Sequence, residues 1–365
     1  MNTLQHGEPK QRRRWATGAL VLLSTALAIV SACTQPDSAP SSVRPSATSA
    51  AASGASPPSA VATGRPLVPA LDGPTLPREF RGLWVASVAN IDWPSRRDLT
   101  YAQQVAEMDA LLDLASRLHF NAIVLQVRPS CDALYVSSLE PTSEYLSGRS
   151  GQSVPGAPPG YDPLQRWIDG AHARGMQLHA WFNPFRARHH DAKSPDAPGH
   201  VTRRHPEWVR SYDRALWLDP GEPAARAYSL AVILDVVRRY DLDGVHIDDY
   251  FYPYPVAGKA FPDDATYNAY VRACAPGVRA LSRSDWRRSN VDSFVRDLYA
   301  QVKQAKPWVL VGISPFGIWR PGYPAGVKGL DAYEALAADA KKWLNEGWLD
   351  YCAPQLYWPT RSAQQ

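Results

Sequence analysis

Cysteine is scarce in this chain, with four among 365 residues, and neither a C-x-x-C pair nor an H-E-x-x-H segment occurs. A structural zinc site or a zinc-protease centre therefore has no ligand pattern to build on. Glycine-rich phosphate cradles are missing too. Neither G-x-G-x-x-G nor a P-loop follows any apolar run, which disfavours a nucleotide-binding doubly wound sheet. Charge of one sign is not in excess, since 39 Lys and Arg face 35 Asp and Glu. Part of the formal +4 belongs to Lys10, Arg12, Arg13 and Arg14, so the remainder offers nucleic acid no strong electrostatic attraction, and no nucleic-acid partner is expected. No apolar run reaches the roughly 20 residues of a membrane span.

What is present begins with that basic cluster and the apolar run from Trp15 to Val30, the pattern of an export signal. The run ends in Val30-Ser31-Ala32-Cys33, which resembles a bacterial lipobox. The resemblance implies cleavage before Cys33, with residues 1–32 as the signal peptide, and lipidation of Cys33, so that acyl chains hold the protein to a membrane. Thr34, not an acidic residue, follows Cys33; the expected address is the outer membrane, facing the periplasm. Residues 33–75 are dominated by Ser, Ala, Pro, Thr and Gly, too poor in large apolar side chains to offset the entropy of ordering. They are expected to form a tether.

From Leu76 the composition is globular, and residues 76–365 are long enough for one large core. Strand-like runs start at Phe80, Asn121, Met176, Gly244, Val309 and Asp350, separated by helical patterns at Tyr101–Leu118, Asp162–Arg174, Glu222–Tyr240, Val291–Ala305 and Tyr333–Glu346. Such alternation predicts a parallel sheet covered by helices. The reading is α/β, a (β/α)8 TIM-type barrel of which this chain shows six strand–helix units and lacks the last two. Of the remaining cysteines, Cys131 and Cys274 both follow strands, so a bridge between them is possible; Cys352 reads as a small buried hydrophobe.

In Gly244-Val-His-Ile-Asp-Asp-Tyr-Phe-Tyr-Pro-Tyr-Pro the two-residue strand period turns His246 and Asp248 to one face and Val245 and Ile247 to the other. Asp248 then stands at the C-terminal end of a barrel strand, where parallel α/β folds place their chemistry. Polar and aromatic residues cluster at the other strand ends: Asp92 and Trp93, Arg128 and Asp132, His179, Trp181 and Asn183, then Gln355, Tyr357 and Trp358. Aromatic platforms interleaved with acids and amides suit sugars, whose C–H faces stack while their hydroxyls need fixed polar partners. Glycoside hydrolysis needs two carboxylates. Asp248 leads. Alternation sends Asp249 to the opposite face, so the second acid is expected from the loop after the second strand, with Glu140 or Asp132 first. Arg128, His179, Asn183, His246 and Gln355 would hold hydroxyls or orient acids; Trp84, Trp93, Trp181, Tyr250, Tyr252, Tyr357 and Trp358 would stack. Neither cofactor nor metal is required, and His189-His190-Asp191 reads as an exposed loop cluster.

The segments R-E-F-R-G-L-W-V-A-S-V-A-N-I-D-W-P-S, Q-V-R-P-S-C-D-A-L-Y, E-P-T-S-E-Y-L-S-G, W-F-N-P-F-R, L-D-P-G and G-V-H-I-D-D-Y-F-Y-P-Y-P, in this order from Arg78 onward, resemble glycosyl-hydrolase-like family ten. This is the bacterial lipoprotein family of the DigH-type peptidoglycan glycosyl hydrolases. The resemblance implies a (β/α)8 barrel and hydrolysis of peptidoglycan glycan strands, particularly those stripped of peptides. It carries over to Asp92, Arg128, Asp132, Glu140, Asn183, Asp248 and Asp249. Two rivals share these residues: a glycan-binding lipoprotein without catalysis, and a hydrolase of another polysaccharide.

Overall fold

Aliphatic runs with no polar face, such as Ala122–Arg128, demand cover on both sides, which only a central strand of a parallel sheet provides. The computed structural model describes residues 79–358; the expected signal peptide, Cys33 and the tether lie outside them. Nine strands occur there: β1 (Gly82–Val85), β2 (Ala122–Arg128), β3 (Gln177–Phe182), β4 (Arg186–Arg188), β5 (Val209–Tyr212), β6 (Ala215–Leu218), β7 (Gly244–Ile247), β8 (Leu310–Ile313) and β9 (Tyr351–Cys352). Six of them form one parallel sheet in the order β1-β2-β3-β7-β8-β9, and every residue of β2 is buried.

The sheet is strongly curled. Five inter-strand gaps of about 4.8 Å would put β1 and β9 some 24 Å apart if the sheet were flat. Yet Phe80, just before β1, and Tyr351 on β9 bring their rings to 5.1 Å. The result is a half-barrel of six strands with its concave face lined by Trp84, His179, His246 and Tyr351. Two glycines make that packing possible. A Cβ on Gly244 would lie 2.2 Å from His179 Nδ1, and one on Gly312 would lie 1.9 Å from Tyr351 Cζ. The six strand–helix units read from the pattern correspond to the six strands of this sheet among the described residues.

Helices cover the convex face. Tyr101–Arg117 starts in a capping box in which Thr100 and Gln103 satisfy each other's backbone N–H groups, and it buries Gln104, Met108, Leu112 and Ala115 along one stripe. The helix at Arg283–Ala305 begins eight residues earlier than the apolar pattern predicts. Ser282 caps it by accepting the Asp285 N–H at 3.1 Å, and its charged first turns hide the start from a hydrophobicity reading. The expected helix Tyr333–Glu346 is two short ones, Ala332–Ala335 and Ala340–Asn345, each capped by its own aspartate. The last strand contracts to Tyr351–Cys352, with Pro354 beyond it unable to donate to a ladder. The sequence pattern missed an antiparallel sheet of order β4-β6-β5 because strands of three or four residues are too short to display a period. Cys131, Cys274 and Cys352 are all free thiols. Cys131 is buried against Arg128, whose Nη2 lies 3.1 Å from its sulfur, so the bridge to Cys274 does not form. Cys352 is only partly buried.

Candidate active site

The regular part of β7 ends at Ile247, and the next two residues are the paired carboxylates. Asp248 accepts three hydrogen bonds at the strand's end. Trp181 Nε1 donates to Oδ2 at 3.1 Å, Asn183 Nδ2 to the same oxygen at 2.5 Å, and the Tyr250 backbone N–H to Oδ1 at 3.1 Å. Asn183 is itself locked, because its Oδ1 accepts from Gln126 Nε2 at 2.6 Å and from Arg186 Nη2 at 2.7 Å. Its amide therefore has one orientation, nitrogen towards Asp248. Arg186 is fixed in turn by the Pro129 carbonyl at 2.8 Å, and its guanidinium lies 5.2 Å above the Tyr250 ring.

Asp249 does not point away from its neighbour's end of the barrel, as strict alternation predicts. It lies past the last ladder residue, where the backbone no longer enforces the pleat. Its carboxylate receives Gln355 Nε2 at 2.9 Å and the Tyr254 hydroxyl; Gln355 also donates to the Ser314 carbonyl at 2.9 Å. Burial pushes Asp248 up to about 6; Arg186 opposes this shift and the negative charge of Asp249 adds to it. Asp249 is raised as well, chiefly by burial.

Below the carboxylates a chain of hydrogen bonds descends through the concave face. Ser314 Oγ meets His246 Nε2 at 2.6 Å, His246 Nδ1 meets the Tyr351 hydroxyl at 3.0 Å, and that hydroxyl meets His179 Nδ1 at 2.9 Å. Trp84 Nε1 also reaches His246 Nε2, at 3.4 Å. Burial lowers His246 to about 3 and His179 to about 4, so both are neutral at ordinary pH. These residues shape the floor and lie beneath the carboxylates.

Several expected site residues go elsewhere. Glu140 forms a bidentate pair with Arg128 at 2.6 and 2.8 Å, both side chains without exposed surface. Arg128 spends its remaining Nη1 on the carbonyls of Asn183 and Pro184. The pair is closed on itself and braces the turn that carries Asn183, so the candidate second carboxylate Glu140 stands in a buried ion pair away from Asp248 and Asp249. Asp132 turns back on its own loop and accepts the Ser130 N–H at 2.9 Å; burial raises it to about 6. Asp92 is exposed and caps the Ala86 N–H at 2.8 Å. Trp93 is fully buried, edge-on to Trp167 at 5.3 Å, and Tyr252 is buried against Phe261; neither offers a stacking face. Tyr357 is exposed, and Trp358 packs edge-on to Phe316 at 6.0 Å.

Arg186, Tyr254 and Ser314 were missed. Arg186 had a signal, a lone cation closing W-F-N-P-F-R three residues after Asn183. Donor atoms of His189, His190 and Asp191 come within 4.8 Å of one another. Burial and the charges of Arg186, His190 and Arg214, partly offset by Asp191, hold His189 down to about 4.

The family model for Glycosyl hydrolase-like 10 matches residues 79–365. The chain is 44% identical over 288 residues to the glycosyl hydrolase YngK of Bacillus subtilis (strain 168), covering 77% of this chain and 54% of that protein. It is 37% identical over 306 residues to the glycosyl hydrolase DigH of Escherichia coli (strain K12), covering 78% of this chain and 67% of that one. The chain thus spans about half the length of YngK. Among solved structures, the alpha-L-fucosidase isoenzyme 2 from Paenibacillus thiaminolyticus superposes with a TM-score of 0.43 at 14% identity, over 67% of this chain and 33% of that one, too loosely to bear on the argument. With the paired carboxylates at the end of a central strand and relatives matched along almost the whole described region, the chain belongs to the Glycosyl hydrolase-like 10 family.

Proposed function

We propose that this protein is a cell-envelope glycoside hydrolase that cleaves peptidoglycan glycan strands with Asp248 and Asp249 as its reacting carboxylates. The sheet would be one part of a (β/α)8 barrel, and Cys33 would anchor the protein by lipid to the outer membrane, facing the periplasm. The observation that carries the reading is the different company of the two acids. All three partners of Asp248 are N–H donors, which favour the ionised carboxylate and oppose the effect of burial. Asp249 has one N–H donor, Gln355, and one hydroxyl, Tyr254, which accepts as readily as it donates, so its Tyr254 contact survives when the carboxyl carries a proton. Two neighbouring buried acids, both raised by burial but differently hydrogen-bonded, can divide between them the acid and base roles that cleavage of a glycoside requires. One acid of the pair then protonates the leaving oxygen, and the other serves as nucleophile or base. Asn183 and Trp181 hold Asp248 in place, and Arg186 tempers its basicity. The family name and the relatives named glycosyl hydrolase support the reaction class; the export signal and lipobox resemblance support the wall as substrate.

The test is digestion of purified, peptide-free glycan strands by wild type and Asp248→Asn, with products sized and their ends identified by mass spectrometry. The variant is expected to lose at least about a thousandfold in turnover while still binding strands. Equal product from both proteins removes Asp248 from the chemistry. Better cleavage of chitin or α-glucans than of wall strands refutes the substrate. Strand binding without any cleavage by wild type supports the rival reading, a glycan-binding lipoprotein.

A further inference from the structure

A trough of about 270 Å³ opens beside the carboxylates, between the β5–β6 hairpin and the segment after β7. Its wall is aromatic. Trp217 on β6 stacks on Tyr250 with centroids 6.1 Å apart and planes at 25°, and Tyr254 meets Tyr250 edge-on at 5.5 Å. These rings are continuous with the reacting groups: Tyr250 donates its N–H to Asp248, and Tyr254 its hydroxyl to Asp249. The trough is also braced. The Tyr212 hydroxyl accepts the Val256 N–H at 2.8 Å and donates to the Lys259 carbonyl at 3.2 Å, tying the segment to the hairpin.

Its lip is cationic. At the hairpin turn Asp213 is paired with Lys259 Nζ at 2.7 Å. Arg214, which also lines the trough, reaches the same carboxylate only loosely, at 3.8 Å, and keeps 76% of its side chain exposed. Two cations thus share one acid, and the guanidinium retains nearly all its donors for a ligand. An aromatic wall takes the C–H face of a pyranose; a free guanidinium at its edge takes a planar anion bidentately.

Building on the glycosidase reading, we propose that this trough is a subsite for a pyranose ring bearing a carboxylate. Tyr250 and Tyr254 support the ring, with the buried Trp217 stacked behind Tyr250, and Arg214 determines specificity for the acid group. Two kinds of sugar carry such a group: muramyl units with a free lactyl carboxylate, and uronic acids.

Binding is measured by calorimetry in the Asp248→Asn background, with Arg214 intact or changed to Gln. The probes are N-acetylmuramyl oligosaccharides, uronic-acid oligosaccharides, and the carboxyl-reduced form of each. With Arg214 intact, one of the two acidic ligands is expected to bind about tenfold more tightly than its reduced form; the Arg214→Gln variant should bind the two forms alike. The ligand that shows the preference identifies the sugar. Trp217→Phe should weaken the acidic and reduced forms by the same factor. A preference that survives Arg214→Gln, or no preference with Arg214 present, overturns the proposal. Cleavage of strands by wild type without carboxylate preference refutes the subsite alone; carboxylate-selective binding without cleavage refutes the hydrolase reading alone.

Discussion

Replacing Glu140 by Gln separates a structural carboxylate from a catalytic one. Glu140 and Arg128 have no exposed side-chain surface and share two hydrogen bonds of 2.6 and 2.8 Å. Removing the negative charge leaves a buried guanidinium with only the Asn183 and Pro184 carbonyls and the Cys131 sulfur around it. Breaking one side of a buried pair costs about 3–5 kcal/mol, which for a domain of this size lowers the melting temperature by on the order of 10 °C. Because Arg128 holds the carbonyls on either side of the turn that carries Asn183, part of the loss should also appear as slower turnover through a displaced Asp248. Urea unfolding and thermal melts of wild type, Glu140→Gln, Arg128→Gln and the double variant form the assay. The double variant should cost less than the sum of the singles by roughly 1–3 kcal/mol. A Glu140→Gln protein that melts with wild type yet has lost turnover would refute the reasoning and return Glu140 to the chemistry.

Three further outcomes follow from the same packing. Asp248, raised from 3.8 to about 6 by burial, weakens the fold wherever it is ionised in the native state. Asp248→Asn removes that penalty but offers the three N–H donors one acceptor oxygen in place of two, so what the raised pKa fixes is the pH dependence: the stability of the variant relative to wild type should fall by roughly 1–3 kcal/mol as pH falls from about 7 towards 4, checked by denaturant melts across that range. As a reacting carboxylate, Asp248 should also place a limb near pH 6 in the kcat/KM profile on glycan strands. A limb near pH 4 would contradict the burial argument. Gly312→Ala places a Cβ 1.9 Å from Tyr351 Cζ and should cost at least about 1–3 kcal/mol through overpacking. Wild-type stability in that variant would mean that Tyr351 does not fill the concave face.

Much of the parallel sheet and its cover was legible because each central strand is an aliphatic run, and each long helix an apolar stripe between polar residues. Val245 and Ile247 against His246 and Asp248 needed only the strand period. That period stops at the last hydrogen-bonded residue, which is why Asp249 defied it. The short β4, β5 and β6 carry no period at all, so the hairpin that walls the trough went unseen, and Arg186 on β4 with it. Trp93 and Trp181 look alike in sequence, each an indole beside polar residues at a strand end. One is sealed against Trp167 and the other donates to Asp248, a difference set by neighbours far along the chain.

Local chemistry alone determined the strand–helix alternation, the placement of Asp248 at a strand's C-terminal end and the glycan-type surroundings. Backbone period and burial act over a few residues, and those few residues are adjacent in the chain. Which carboxylates stand together was decided only by the tertiary structure, because a carboxylate's surroundings depend on partners brought from afar. Arg128 closes on Glu140 and removes it from the site. Trp181 and Asn183, 67 and 65 residues from Asp248, and Gln355, 106 residues from Asp249, surround the two acids that remain. Burial of that cluster, which only the curled sheet achieves, raises both acids above the ordinary carboxylate range.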